Sequence, residues 1–286
     1  MAGLPEQLVP TQLGLINVRV GGKPDGPPMV FWPSLLVDSS MWRDQCQHYA
    51  PTHRVALIDP PGAGKSEPLR RKFELAECGD CLVAVLDALG IDWCLLVGTS
   101  WGALLGSVFA ALHPERLHGA VLINGSASPP SASEVAQMTE FVTALEGMTA
   151  MPDWLVGATQ SAFAGPTAEA SKPEFMDYLR CVLREDPKSV AFAMRSVVIE
   201  SKDRHALLRT IKDVPVLVLA GEEDRRFPVG EAQKMVDAIP GSDFVVIPQT
   251  GHLAARETPD AVNKAIDAFI AKRSLLGAGD SGNESR

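Results

Sequence analysis

Short apolar runs alternate along the chain with longer stretches in which apolar residues recur at helical spacing. Residues 29–32, 55–58 and 120–123 are apolar throughout, which is typical of strands buried on both faces of a parallel sheet. Residues 75–89 form an amphipathic stretch that ends at Gly90, a common residue just after a helix. This alternation predicts an α/β fold in which helices cover a largely parallel sheet. Further strands are predicted at residues 13–20, 93–97, 214–220 and 244–247, and further helices at residues 40–49, 229–239 and 259–272.

In the middle of the chain the pattern changes, because no strand pattern appears and prolines and glycines repeatedly interrupt the helical stretches. We interpret residues 125–212 as a helical cap inserted between two strands of the sheet. Residues 1–124 and 213–275 then form the core, and the polar residues 276–286 form a flexible tail.

Composition narrows the classes of function. The 286-residue chain carries a net charge of −9, which argues against nucleic acid or an anionic membrane as its main partner. No apolar run reaches membrane-spanning length, and the first residues lack the basic flank and apolar run of a secretory signal. Five cysteines, an odd number without a secreted context, favour reduced thiols. We therefore expect a cytoplasmic protein whose partner is a small molecule, and the oligomeric state stays open.

The stretch Gly98-Thr-Ser-Trp-Gly102 carries the strongest chemical signal. It joins a predicted strand to a predicted helix with the pattern G-x-S-x-G, which is typical of a nucleophile turn. Such a turn holds Ser100 in a strained conformation at the carboxyl end of the sheet. The N-terminus of the following helix favours a developing oxyanion at that position.

An activated serine needs a base, and the base needs an acid that orients it. Two later strands end in polar residues, one followed by Asp224 and the other by His252. In a parallel sheet both loops emerge at the edge where Ser100 lies, so we predict these three residues as a catalytic triad. Glu222 and Glu223 are competing candidates for the acid.

With these segments the chain resembles the α/β-hydrolase superfamily, in the order nucleophile, acid, base. The loop Asp59-Pro-Pro-Gly-Ala-Gly-Lys-Ser66 is similar to the D-x-P-G-x-G-x-S loop of that superfamily. The resemblance implies an α/β-hydrolase fold with a mostly parallel eight-stranded sheet flanked by helices and a cap after the sixth strand. Relatives with a cap include esterases, enol-lactonases and carbon–carbon bond hydrolases.

The oxyanion hole is expected to use the backbone N–H of Trp101 and one N–H after the strand at residues 29–32. Relatives place His-Gly there, whereas this chain has Trp32-Pro33-Ser34-Leu35. Because Pro33 has no N–H, we predict Ser34 as the second donor, with Leu35 next. Trp32, Leu35 and Trp154 are predicted to contact substrate in a mostly apolar pocket.

Two other motifs are set aside. Gly62-Ala-Gly-Lys-Ser66 looks like part of a phosphate-binding loop, but Asp59 stands where that loop needs glycine. Cys78 and Cys81 have C-x-x-C spacing, but they lie inside a helical pattern and no second pair accompanies them. We therefore predict neither a nucleotide site nor a metal site.

The sequence thus predicts a serine hydrolase that cleaves a carboxylic ester or lactone without a cofactor. Three alternatives remain: a carbon–carbon bond hydrolase of aromatic degradation, a cofactor-free haloperoxidase or perhydrolase, and a non-catalytic small-molecule receptor. The first two use the same triad, whereas a receptor has no need of an acid oriented on a histidine.

Overall fold

A computed structural model describes residues 4–182 and 186–275, within which eight strands form one sheet. In chain order the strands are β1 (Glu6–Thr11), β2 (Gly14–Gly22), β3 (Pro28–Trp32), β4 (Arg54–Ile58), β5 (Cys94–Thr99), β6 (Leu117–Ile123), β7 (Val216–Gly221) and β8 (Asp243–Ile247). Their order across the sheet is β1-β2-β4-β3-β5-β6-β7-β8. β2 is antiparallel to both β1 and β4, and the remaining pairs are parallel. The predicted mostly parallel, eight-stranded sheet is confirmed.

Helices lie on both faces of this sheet. In chain order they are α1 (Arg43–Tyr49), α2 (Leu75–Ala88), α3 (Trp101–Leu112), α4 (Ala132–Glu146), α5 (Asp153–Phe163), α6 (Pro166–Ser171), α7 (Pro173–Val182), α8 (Pro187–Met194), α9 (His205–Leu208), α10 (Val229–Ala238), α11 (Ala254–Glu257) and α12 (Pro259–Arg273). Short 3₁₀ turns occur at Ser39–Trp42 and Pro114–Arg116, and a π-helical turn occurs at Arg195–Ile199.

The central strands are apolar because both of their faces are covered. Along β3, Val30 and Trp32 pack into the core beneath α2 and α3, whereas Met29 and Phe31 pack into the core on the opposite face. The strands β5 and β7 expose no residue. This burial on two faces explains why these strands appear in the sequence as continuous apolar runs.

The structure differs from the sequence prediction at the N-terminal edge. β1 was not among the individually predicted strands, and it pairs with β2 through a tight turn at Gly14, where φ is 102°. Most of its residues are exposed, so it lacks the apolar run that marks the other strands. The helix predicted at residues 40–49 begins as a 3₁₀ turn, with Asp38 accepting the N–H of Ser40.

The helices α4 to α9 lie between β6 and β7, which places the helical cap after the sixth strand. Ser131 and Glu134 form a capping box at the start of α4. Apolar residues of α4, α5 and α8 share a small cluster, whereas Phe175 and Leu179 of α7 join the larger core of the sheet. The cap is therefore tied to the body of the molecule.

The tail predicted at residues 276–286 falls outside the described residues. Among the residues that are described, none of the helices has the length and apolarity needed to cross a membrane.

Candidate active site

Ser100 lies at the turn between β5 and α3, with φ 54° and ψ −108°. Positive φ at a residue other than glycine costs on the order of 1–3 kcal/mol, so the surrounding structure must hold it. A Cβ on Gly98 would lie 2.2 Å from the carbonyl oxygen of Gly102, and a Cβ on Gly102 would lie 2.2 Å from that of Trp32. The two glycines of G-x-S-x-G are therefore required by the close approach of β3, β5 and α3.

Asp224 and His252 form a buried pair at the same edge of the sheet, after β7 and β8. Nδ1 of the imidazole lies 3.1 Å and 2.9 Å from the two carboxylate oxygens. Oδ1 of the carboxylate also accepts the backbone N–H groups of Arg226 at 2.7 Å and Phe227 at 3.0 Å. These bonds fix the carboxylate, which orients the imidazole and leaves Nε2 as its free nitrogen.

The two competing acids are engaged elsewhere. Glu222 accepts the backbone N–H of Gln249 at 3.0 Å. Glu223 accepts the N–H and the hydroxyl of Thr167, at 2.8 Å and 2.6 Å. Within the described chain, Asp224 is the carboxylate that bonds to the imidazole.

Asn124, just after β6, is a site residue that the sequence analysis missed. Its side-chain amide donates to the carbonyl oxygens of Gly251 at 2.8 Å and His252 at 2.6 Å, and its oxygen accepts the N–H of Gly221 at 2.7 Å. Asn124 has φ 50°, a conformation that asparagine adopts more readily than most residues. An asparagine directly after a buried strand was the available signal, but it belongs to no motif.

The cap contributes directly to the position of the histidine. The backbone N–H of His252 donates to the carbonyl oxygen of Phe163, at the end of α5, at 2.9 Å. The ring of Phe163 lies 5.1 Å from the imidazole centroid, and the ring of Phe227 lies 5.7 Å from it. The imidazole is therefore held between a residue of the cap and a residue of the acid loop.

Ser100 and His252 line one cavity of about 330 Å³ between the cap and the sheet. Most of the other lining side chains are apolar: Leu35, Leu36, Trp101, Leu104, Met138, Phe141, Trp154, Leu155, Ala158, Ala162, Phe163, Met194, Val197, Val198 and Phe227. Two of the predicted substrate contacts, Leu35 and Trp154, are among them, and Trp154 lies at the rim with 61% of its surface exposed.

Trp32 does not line this cavity, which corrects its predicted place in substrate binding. Its indole is fully buried and meets the indole of Trp101 edge to face at 5.9 Å. Strand alternation explains this position, because Val30 and Trp32 point to the same covered face of the sheet. Trp32 thus supports Trp101 from behind.

The predicted oxyanion donors lie where β3 and β5 end. In the described chain no protein group accepts a hydrogen bond from the backbone N–H of Trp101, Ser34 or Leu35. Ser34 is fully buried and its hydroxyl has no partner, whereas Leu35 lies on the cavity wall. Two neighbouring amides, Ser34 and Leu35, are therefore available as the second donor beside Trp101.

Asp59 and the two cysteines of the C-x-x-C motif are buried. The carboxylate of Asp59 accepts the backbone N–H groups of Ser39 at 2.9 Å and Lys65 at 3.0 Å. An acidic side chain of the protein therefore uses the N–H of Lys65 in this loop. Cys78 and Cys81 are buried in α2, where burial raises the pKa of the Cys81 thiol to about 11. Among the described residues, histidine, cysteine and acidic side chains form no cluster that could hold a metal ion.

Glu257, at the end of α11, is a buried carboxylate beneath the histidine loop. Oε1 accepts the backbone N–H of Gly251 at 2.9 Å. Burial raises the pKa of Glu257 to about 7, against the opposing effects of the Gly251 N–H and the charge of Lys172. This carboxylate therefore titrates near neutral pH beside the loop that carries His252.

Comparison with known proteins agrees with the fold. Residues 27–258 match the family described as the alpha/beta hydrolase fold. The chain is 27% identical over 255 residues to 3-oxoadipate enol-lactonase 2 from Acinetobacter baylyi, covering 89% of this chain and 92% of that protein. It is 27% identical over 250 residues to a putative carbamate hydrolase, RutD, from Pseudomonas syringae, covering 86% of this chain and 94% of that protein.

The chain is also similar in fold to a solved structure. A thermophilic esterase from Thermogutta terrifontis matches with a TM-score of 0.85 and 26% identity, over 94% of this chain and 99% of that one. The order of the sheet, the turn at Ser100 and the matched residues agree with one another. This chain belongs to the α/β-hydrolase family.

Proposed function

We propose that this protein is a serine hydrolase that cleaves a carboxylic ester or lactone of a mostly apolar small molecule. One observation carries the proposal: Ser100 and the His252 that is bonded to Asp224 line the same apolar cavity. A nucleophile, a base and an orienting acid in this arrangement are what acyl transfer through a covalent intermediate requires.

In the proposed reaction, Oγ of Ser100 attacks the substrate carbonyl while Nε2 of His252 accepts the hydroxyl proton. Asp224 keeps the other proton on Nδ1 and stabilises the imidazolium. The tetrahedral oxyanion accepts the N–H of Trp101 and a second N–H from Ser34 or Leu35. His252 then gives its proton to the leaving alkoxide. A water molecule that is deprotonated by the same imidazole attacks the acyl-enzyme, and the imidazolium returns this proton to Oγ of Ser100 as the acyl–oxygen bond breaks and the acid is released. No cofactor takes part in this scheme.

The substrate class rests on the cavity and on the relatives. A cavity of about 330 Å³ lined mainly by aliphatic and aromatic side chains suits a small molecule with an apolar acyl or aryl group. The matched proteins include one named as an enol-lactonase and one named as an esterase. Both names describe hydrolysis at an ester-type carbonyl, which supports the same reaction here.

The decisive test is covalent labelling with a fluorophosphonate, which reacts with activated serines. We expect the wild type and the control Ser133→Ala to be labelled, because Ser133 is an exposed residue of α4. Ser100→Ala should be unlabelled and should lose ester hydrolysis by about ten-thousandfold or more. Folded wild-type protein that resists labelling would leave the receptor alternative standing.

A substrate panel separates the enzymatic alternatives. Aryl esters and lactones of several ring sizes should be hydrolysed faster than ring-cleavage diketones, which a carbon–carbon bond hydrolase would prefer. Bromination that depends on peroxide and acetate would instead favour the haloperoxidase or perhydrolase alternative. A clear preference for the diketones would contradict the proposed ester or lactone substrate.

A further inference from the structure

One charged side chain other than the histidine lines the cavity of Ser100. Among the described residues that surround this cavity, Arg226 and His252 are the ones with ionisable side chains. The side chain of Arg226 is partly exposed, so the cation lies at the edge of the apolar cavity, where an anion can reach it. We therefore ask which anion Arg226 binds.

Arg226 also lines a second, polar cavity of about 340 Å³ next to the first. The two cavities share Arg226, Phe227 and an apolar edge formed by Leu104, Val197 and Val198. Beyond this boundary the wall includes the serines 126, 128 and 201. A substrate whose apolar part fills the first cavity and whose polar end points to the second cavity would contact Arg226 at the boundary.

The guanidinium of Arg226 has spare donors. It lies over the ring of Phe227 at 5.1 Å, and Nη1 is 3.4 Å from Oε1 of Glu134 in the cap. Its Nε and Nη2 donate to no protein group in the described chain. An Nε–Nη edge of this kind matches a carboxylate in bidentate geometry.

The present partner of Arg226 is a weak competitor. Glu134 accepts the N–H and hydroxyl of Ser131 through Oε2, at 2.8 Å and 2.7 Å, and these bonds hold its pKa below the ordinary value. It therefore stays ionised without Arg226. A long, partly exposed ion pair contributes little stability, so a better-placed anion can displace it.

The other cations of the polar cavity have fewer unused donors. Arg204 donates to the hydroxyl of Ser201 and to the carbonyl oxygens of Lys202 and Ser126, which leaves its buried Nε without a partner in the described chain. Lys234 lies 2.6 Å from Glu231. Arg226 is therefore the cation with the most unused donors at the boundary between the cavities.

We propose that Arg226 is a specificity residue that binds a carboxylate on the substrate. This inference rests on the proposed hydrolase function and narrows it to esters or lactones that carry a carboxylate at the end remote from the reacting carbonyl. Arg226 is adjacent to the triad, since its backbone N–H donates to Asp224 and its side chain stacks on the Phe227 that contacts His252. The guanidinium lines the boundary with the polar cavity, so the carboxylate is bound there while the reacting carbonyl lies at Ser100.

The test compares mono-p-nitrophenyl adipate with its terminal amide, which has nearly the same shape but no charge. The readout is the ratio of the two kcat/KM values at about pH 8, where the free carboxyl is ionised. We expect the wild type to prefer the anionic ester and Arg226→Gln to lower the ratio about tenfold or more, mainly through KM. Glu134→Gln, which keeps the capping box, should raise the ratio by removing the competing anion.

Arg225→Gln is the matched control, because the neighbouring Arg225 pairs with Glu169 and lines neither cavity. It should keep the wild-type ratio. An Arg226→Gln protein with the wild-type ratio would overturn the proposal while leaving the hydrolase function intact.

A binding measurement keeps the two proposals distinguishable. If the wild type hydrolyses neither ester, the proposed function fails, and calorimetry with 6-phenylhexanoate and its amide tests the carboxylate site alone. The wild type should bind the carboxylate about tenfold more tightly than Arg226→Gln does. Equal binding by the two proteins would overturn the carboxylate site.

Discussion

The two halves of the candidate active site use their polar groups in opposite ways. In the acid–base half, formed by Asp224, His252 and Asn124, each functional side chain is already hydrogen-bonded to the protein. Those bonds join the ends of β6, β7 and β8, which are far apart in the chain. This half is preorganised by side chains.

The oxyanion half, formed by Trp101, Ser34 and Leu35, leaves its backbone donors without a partner in the described chain. It is shaped by backbone conformation, with Ser100 at φ 54° and Leu36 at φ 68°. Unpaired donors cost free energy in the resting protein, but they are free to bind an oxyanion as it forms. The comparison teaches that the two halves should respond differently to substitution.

The largest expected effect on kcat comes from removing the charge of Asp224 in the acid–base half. Asp224→Asn keeps the shape but removes the charge that stabilises the imidazolium and fixes its tautomer, so kcat should fall by about ten-thousandfold. Steady-state kinetics on an aryl ester, with far-ultraviolet circular dichroism as a check of folding, measure this loss.

Glu222→Gln is the control for this change, because the side chain of Glu222 bonds to Gln249 and does not reach the imidazole. It should retain activity within about threefold of the wild type. A nearly active Asp224→Asn combined with an inactive Glu222→Gln would show that the acid has been assigned to the wrong residue.

Asn124→Ala tests whether the bonds between strand ends set the activity. It leaves the carbonyl oxygens of Gly251 and His252 and the N–H of Gly221 unpaired in a buried place. Each unpaired group costs about 1–3 kcal/mol, so unfolding in urea should show a loss of a few kcal/mol. In the protein that remains folded, kcat should fall by on the order of ten- to a hundredfold because the imidazole is less well held.

A second buried asparagine separates stability from activity. Asn263 of α12 accepts a bond from Gln45 at 3.2 Å, away from the cavity. Asn263→Ala should lower stability while the folded fraction keeps its kcat. If both variants lost stability alone, Asn124 would be structural and would have no part in positioning the histidine.

The next effect concerns Glu257, the buried carboxylate beneath the acid–base half. The folded protein raises the pKa of Glu257 from 4.5 to about 7, so between these pH values it binds more protons than the unfolded chain. Wild-type stability should therefore fall as the pH rises through this window. Glu257→Gln does not titrate, and its stability relative to the wild type should improve by on the order of 2–3 kcal/mol between pH 5 and 8.

Glu140→Gln provides the reference for this pH series, because Glu140 is an exposed residue of α4. Its difference from the wild type should stay constant with pH. Urea unfolding at several pH values measures both variants, and parallel curves for Glu257→Gln and the wild type would contradict the titration.

Ser100, Asp224 and His252 can be predicted from the sequence because the signal for each of them is local. Ser100 lies in a motif that needs two glycines at fixed spacing, and Asp224 and His252 follow apolar runs that predict strands. Asn124 could not be found in this way, since its partners are contributed by other strands and its own neighbours form no motif. Trp32 was misplaced although strand alternation already assigned it to the covered face of the sheet with Val30.

The smallest expected effect lies in the oxyanion half, at the hydroxyl of Ser34. This buried hydroxyl has no hydrogen-bond partner in the described chain, and an unpaired buried donor is destabilising. Ser34→Ala keeps the backbone N–H and removes only the unpaired group, so stability should rise by up to about 1 kcal/mol in urea unfolding. Ser126→Ala is the contrast, because the hydroxyl of Ser126 donates to Glu231 at 2.8 Å, and its loss should destabilise the protein. A destabilised Ser34→Ala would mean that this hydroxyl has a partner, and the contrast between the two halves would then be weaker than proposed.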